Sequence, residues 1–209
     1  MKAMVAYGHI AFYGSFYLRN HGEGLQGLAE SVNSVFGTQF QALGFTGLVL
    51  GLLIGLFGAA GTFLGGQLAD RYVGRDARAY AAIPALSVLI GFVPFLIAML
   101  TGSTVLSILA LGVVTLLNSV WYGPVFSCAQ SLVKPQTRAT ASAVILFVIN
   151  LIGLGLGPLL AGILSDVFAA QNGAAEGLRL SLITIGAIGL LCVPAFYMAS
   201  RTLRDDIEK

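Results

Sequence analysis

The residues able to do chemistry in this 209-residue chain are few, and they stand in two settings. One is a cluster of charge, Asp70, Arg71, Arg75, Asp76 and Arg78, set between two uncharged runs that extend from Ser31 to Ala69 and from Ala79 to Val133. The other is a set of isolated polar side chains inside apolar sequence. His9, Tyr13 and Tyr17 fall at i, i+4 and i+8, Thr115, Asn118 and Tyr122 at i, i+3 and i+7, and Asn150 stands alone. Each trio shares one face of a helix. In apolar surroundings such groups can bind a solute by hydrogen bonds, hold a neighbouring helix or, for His9, carry a proton. A hydrolytic site is not indicated, because the only histidines are His9 and His21 and no Gly-x-Ser-Gly nucleophile setting occurs. Cys128 and Cys192 share no spacing motif and read as small apolar residues. No metal or cofactor is therefore expected. A channel is disfavoured as well, since paired Asn-Pro-Ala turns and charged rings within spans are both missing.

The elements that must position these groups are membrane helices. Hydrophobic residues make up 57% of the chain and charged ones 10%, with a mean hydropathy of +0.89, against about 25% charged in soluble domains. A net charge of +2 on so few loop-bound cations excludes a nucleic-acid partner. About 20 apolar residues span a bilayer as a helix, and a lipid-facing chain must satisfy its own backbone hydrogen bonds. Six spans are predicted, at about 3–18, 42–68, 79–101, 104–130, 139–165 and 179–200, with Thr101-Gly102-Ser103-Thr104 dividing the third from the fourth. Six crossings put both termini on one side, together with loops 69–78 and 131–138. That side holds Lys2, Arg71, Arg75, Arg78, Lys134, Arg138, Arg201, Arg204 and Lys209, and the other only Arg19 and Arg179. Nine cations against two make the terminal side cytoplasmic. Lys2 ahead of an apolar run also suggests a signal peptide, but no small-x-small cleavage site follows, so the first segment is read as a retained helix.

Smaller features refine this reading. Leu25, Leu28, Val32 and Val35 keep a helical spacing that predicts a short amphipathic piece at the outer interface. In the second span Gly44, Gly47, Gly51, Gly55 and Gly58 predict a stripe of close helix contact. Pro124 predicts a kink just beyond the Thr115–Asn118–Tyr122 stripe, and Gly74 a turn through positive φ. The third span has almost no polar side chain and reads as peripheral, and the tail RTLRDDIEK reads as a solvated charge cluster.

Two stretches carry a family resemblance. Gly66, Leu68, Ala69, Asp70, Arg71, Gly74 and Arg75 resemble the loop signature G-x-L-A-D-R-x-G-R-x of the major facilitator superfamily, with Tyr72 and Val73 where the commonest form has one residue. From Arg138 to Asp166, RATASAVILFVINLIGLGLGPLLAGILSD resembles the eleventh helix of Spinster-like transporters within that superfamily, and Gly153, Gly157 and Pro158 match a G-x-x-x-G-P pattern of its antiporters. The resemblance implies an all-α membrane protein corresponding to helices seven to twelve, the C-terminal half of a twelve-helix fold. By it the first, second, fourth and fifth spans line a central cavity, and the third and sixth face lipid. His9, Tyr13, Tyr17, Thr115, Asn118, Tyr122 and Asn150 become candidates for that cavity. Gly66, Asp70, Arg71, Gly74, Arg75 and Arg138 become a cytoplasmic gating motif, with Asp70 meeting a helix N-terminus of the other half, while Gly153, Gly157 and Pro158 serve packing and bending.

The expected function is thus half of a secondary transporter moving a small or amphipathic solute, lipid-like ones included, by alternating access. The chain would be a truncated or partial gene product in the cell (inner) membrane, if bacterial, with membrane lipid and a complementary six-helix half as partners. The alternatives are a half-transporter that pairs with a second copy and a structural or regulatory membrane subunit that transports nothing.

Overall fold

In the computed structural model the described residues, 1–207, form helices joined by short turns and no strand. Glu208 and Lys209, the end of the charged tail and one of the nine counted cations, lie outside them. The helices are α1 (Lys2–Asn20), α2 (Gly22–Phe36), α3 (Ala42–Leu52), α4 (Gly58–Val73), α5 (Ala79–Leu100), α6 (Thr104–Ser119), α7 (Tyr122–Ser131), α8 (Arg138–Asn172), α9 (Ala174–Gly189) and α10 (Cys192–Ile207). A π-helical turn, Leu53–Phe57, joins α3 to α4 as one rod, and a 3₁₀ turn, Pro135–Thr137, leads into α8.

Among the described residues five stretches are long and apolar enough to cross a membrane: Ala42–Val73, Ala79–Leu100, Thr104–Ser131, Pro135–Asn172 and Ala174–Leu203. These correspond to the predicted second to sixth spans. The predicted first span is a helix of 19 residues, but Lys2, His9, Arg19, Asn20 and its tyrosines dilute its apolar character.

Two rods break where proline dictates. Proline has no N–H for the carbonyl four residues back, and its ring crowds that carbonyl. Pro124 disrupts the bond to Val120, so α6 ends there and α7 starts at Tyr122; Pro194 disrupts the bond to Leu190, where α9 gives way to α10. At both sites the chain tightens into i→i−3 bonds, Val120 N–H to Leu117 O and Leu190 N–H to Ala187 O. The predicted kink therefore exists but lies one turn before the proline. α8 runs through Pro158 as a single helix.

Helices packed in lipid gain nothing from hiding apolar surface, so they associate where small residues let backbones approach. A β-carbon on Gly61 would stand 2.1 Å from the Leu116 carbonyl oxygen, and one on Gly65 2.1 Å from that of Val120. A side chain on Gly123 would in turn strike Gly66. α4 thus lies backbone to backbone against α6 and α7. The predicted stripe needs correcting here: Gly47, Gly51 and Gly55 face open space, and contact begins at Gly58. On the other flank α8 meets α1 at Gly157 and Gly8, where a β-carbon on either would lie within 3 Å of the other's backbone.

The main core fills one end of the bundle. Phe16, Tyr17, Leu25, Met99, Leu111, Leu178 and Leu182 are nearly inaccessible there and join α1, α2, α5, α6 and α9. The amphipathic piece is α2, which buries Leu25 and Ala29 and leaves Val35 and Phe36 exposed. Gly37 ends it in the left-handed conformation at φ 67°. Asn33 fixes the following loop, accepting from Phe40 N–H at 2.8 Å and donating to Phe40 O at 2.9 Å. The same end is pinned by Arg19, which donates to Ala174 O at 3.2 Å, and by Arg179, which donates to Asn20 Oδ1 at 3.2 Å and pairs with Glu176 at 2.8 Å.

The glycine contacts give the first test. Gly65→Ala forces α4 from the Val120 carbonyl at the α6–α7 break and is expected to cost more than ~2 kcal/mol, whereas Gly51→Ala meets nothing and is expected to be neutral or stabilising by ~0.5–1 kcal/mol. Thermal unfolding in detergent would rank the two. A second test concerns His21, buried between α1 and α2 beside Phe16, Tyr17 and Thr104. Its pKa is lowered by burial and then by Arg179. A depressed histidine keeps its stabilising contribution above its unfolded value, about 6.5, and loses it as pH falls through the folded one. Melting temperature should drop on acidification below that point, and His21→Gln should flatten this part of the profile.

Candidate functional site

The polar residues of the fourth span converge on a pocket of about 250 Å³ between α1, the π turn with α4, and the α6–α7 break. Tyr13, Thr62, Thr115, Asn118, Ser119 and Tyr122 edge it, beside the exposed apolar side chains Ile10 and Ile54. Thr115 donates to Leu111 O at 2.8 Å, Ser119 to Thr115 O at 2.9 Å and Thr62 to Gly58 O at 3.0 Å. These hydroxyls spend their protons on their own helices and can offer acceptor lone pairs to the pocket. Tyr122 lies directly after the break and packs against Trp121 and Phe126, with ring centroids at 4.5 and 6.5 Å.

The expected α1 face, His9–Tyr13–Tyr17, exists as a face but is turned mostly inward. His9 donates from Nε2 to Leu182 O at 2.9 Å and stacks on Phe95 at 4.8 Å. Tyr17 bonds Ser107 Oγ at 2.9 Å; because Ser107 donates to Ala98 O at 2.7 Å, the tyrosine is the donor. Both lie within the packed interior, and only Tyr13 reaches the pocket. Asn150, on α8, accepts from Tyr7 OH at 3.0 Å and donates to Leu146 O at 2.8 Å, and it does not line the pocket.

Lys2 is the residue that sequence reasoning misplaced. It was counted among the cytoplasmic cations, yet its ammonium is inside the bundle, donating to Asn118 Oδ1. It edges a small cavity of about 40 Å³ with His9, Phe95 and Gly186. The reason is register. Gly8 on Gly157 places the start of α1 near the middle of α8, level with Asn118 in the middle of the α6–α7 rod. Met1 is therefore not beside loop 69–78. A position at the head of an apolar helix resembles a loop cation, so no signal in the sequence separated the two cases.

The charged motif departs from its expected form. Gly66, Asp70 and Arg71 belong to α4, which continues to Val73, and the turn proper is 74–78. Gly74 has φ −61°, so its freedom for positive φ is unused. The turn closes through Arg75 N–H and Asp76 N–H on Tyr72 O, and Asp76 Oδ1 accepts from Arg78 N–H at 2.9 Å. Asp70, Arg71 and Arg75 are exposed. Arg138 donates from Nε to Gln130 O at 3.2 Å and so braces the second loop on that side. Among the described residues no group of three or more His, Cys, Asp or Glu side chains could hold a metal ion.

The fold defines a class: a multi-pass integral membrane protein, helical throughout its described residues. No protein-family model matches the sequence. An MFS-type efflux pump of Mycolicibacterium smegmatis (strain ATCC 700084 / mc(2)155) is 32% identical over 170 residues, which cover 81% of this chain and 39% of the pump. In structure the chain is similar to a bacterial homolog of the human lysosomal transporter Spinster in its inward-facing, unoccupied conformation, with a TM-score of 0.81 and 25% identity over 98% of this chain and 46% of that one. Its inward-facing, occupied form matches in fold with a TM-score of 0.78, 24% identity, and 98% and 48% coverage. The chain is thus similar to transporters of the major facilitator superfamily, Spinster-like ones among them, and these relatives are not enzymes. It spans about half the length, or less, of these relatives.

The Lys2–Asn118 contact yields a test. A buried ammonium left without an acceptor is costly, so Asn118→Leu is expected to destabilise by more than ~2 kcal/mol. With Lys2→Met in the same chain the penalty should fall by at least half, which a double-mutant cycle on thermal stability would measure.

Proposed function

We propose that the chain is the C-terminal half of a secondary transporter that moves an amphipathic solute by alternating access, paired with a complementary six-helix half. The observation that carries this is the pocket edged by Tyr13, Thr115, Asn118 and Tyr122, a concentration of hydrogen-bonding side chains beside exposed Ile10 and Ile54 in a mostly apolar bundle. Its mixture of hydroxyl, amide and aromatic surface suits a solute with a polar head and an apolar body. The efflux named for the mycobacterial relative supports export as the direction, and the Spinster name of the structural relative supports a lipid-like solute. In this scheme α1 counts as a crossing, giving six, and the loops around residues 74–78 and 131–138 are cytoplasmic, as is the C-terminus. α5 and α9–α10 face lipid. Asp70, Arg71 and Arg75, exposed at the cytoplasmic rim, meet the other half, where a carboxylate is favoured at a helix N-terminus. Arg138 lies at the reciprocal contact, and Gly153 and Gly157 hold the α1–α8 seam.

Vesicles holding the chain with a complementary half, loaded with a fluorescent lysophospholipid, provide the test. Export that requires both halves is expected. Tyr122→Phe should weaken the solute's apparent affinity about three- to tenfold, the loss of one hydrogen bond, with melting temperature unchanged. An unaltered affinity would remove Tyr122 from the site. Export by the chain alone, running as a dimer in detergent, would favour pairing with a second copy, and no export in any pairing would leave a structural or regulatory subunit.

A further inference from the structure

Two cavities of the bundle meet at one residue. The small cavity edged by Lys2 and His9 and the polar pocket edged by Tyr13 and Tyr122 both have Asn118 in their walls, and among the described residues that line them no other belongs to both. Lys2 donates to Asn118 Oδ1. An ammonium carries donors and no lone pair, so only the amide oxygen can face it, and the amide N–H donors of Asn118 are turned away from Lys2, to the side of the polar pocket. The hydroxyls of Thr62, Thr115 and Ser119 donate to their own helices and bring acceptors to that pocket. Asn118 brings donors, and the cation behind its amide polarises and strengthens them.

Charge decides what those donors receive. Among the described residues the Lys2 ammonium pairs with no carboxylate, and the ion pair they do hold, Arg179 with Glu176, is at the large-core end. A charge withdrawn from water without a counter-charge is costly. An anionic group in the pocket supplies that counter-charge across a single amide, where salt screens little. A cationic group meets repulsion through the same amide. We infer that Lys2 determines specificity by acting through Asn118, and that the pocket selects solutes whose polar head carries anionic oxygens, phosphate and carboxylate alike. This rests on the reading of the pocket as the solute site and names the head that the site takes.

Trp121, the chain's one tryptophan, lines the pocket and reports binding without transport. In vesicles holding the chain with a tryptophan-free complementary half, its fluorescence is titrated at neutral pH with amphiphiles of one chain length: dodecyl phosphate, N-dodecanoylglycine, dodecylphosphocholine and dodecyltrimethylammonium. An anionic amphiphile should bind at least about tenfold more tightly than the cationic one, the weight of one charge-assisted hydrogen bond. Which of the two anions leads tells phosphate from carboxylate. Lys2→Met should erase the preference and Lys2→Arg keep it. Asn118→Asp, which satisfies the ammonium within the protein and removes the donors, should lower anion affinity by about tenfold or more with cooperative unfolding intact. Equal binding of every head by the unaltered chain would overturn the inference. So would full anion affinity in Asn118→Asp, or an equal loss for every head in Lys2→Met, the mark of a structural role. Selective binding without export would keep the inference and sink the transport reading, whereas export without head selectivity would do the reverse.

Discussion

Close backbone contact at glycine is the constraint on which the rest of this bundle depends. In water a helix can be held by burying any apolar face, but in hydrocarbon that drive between helices is absent and contact distance decides. Gly8 on Gly157, and Gly61 and Gly65 on the carbonyls of Leu116 and Val120, bring backbones closer than any side chain permits. Such contacts fix register as well as distance, because a shift by one residue would set a side chain against a carbonyl. The depth of every polar group follows from these few points. Lys2 reaches part-way into the bundle, against Asn118, because Gly8 is tied to Gly157, and the Asp70 end of α4 is placed by Gly65 and Gly66 against the α6–α7 break.

The polar pocket grows from the same contacts combined with proline. Pro124 has no N–H to offer the Val120 carbonyl, and the break opens where Gly65 lets α4 press on that carbonyl. Asn118, Ser119 and Tyr122 flank that break, so local backbone irregularity and hydrogen-bonding side chains occupy one level of the bundle. An irregular backbone at membrane depth is tolerated where it is buried in protein or lines a cavity, and here it does both. Pro194 produces a parallel break in the α9–α10 rod, close to the level of Lys2.

Much of this was legible from residue types alone. Charge-free runs pointed to apolar helices from Ala42 onward, although α8 runs on to Asn172 and α9 starts already at Ala174, and the Thr115–Asn118–Tyr122 spacing picked out three of the pocket residues. What was not legible depended on partners. A period of four marks a glycine stripe, but not which helix it meets, so Gly47 and Gly51 looked like contacts while Gly61 and Gly65 make them. Likewise His9, Tyr13 and Tyr17 define a face, and only the position of Leu182, Ser107 and Phe95 shows that it points inward. Lys2 is the sharpest case, since its depth depends on a contact about 150 residues away in the chain.

The two flanks of the bundle differ at the Asp70 end, and the difference has a mechanical meaning. On one flank α4 is locked to α6 and α7 by glycine contacts that reach to Gly66, one turn from Asp70. The charged motif is therefore held by a rod that packs backbone to backbone on α6 and α7. On the opposite flank α8 and α10 extend past the start of α1 with an apolar groove between them, and the large core lies at the far end. Rocking of one half against another requires each half to move as a stiff body, so that displacement at one rim is transmitted to the other. The α4 flank meets that requirement through backbone contact alone.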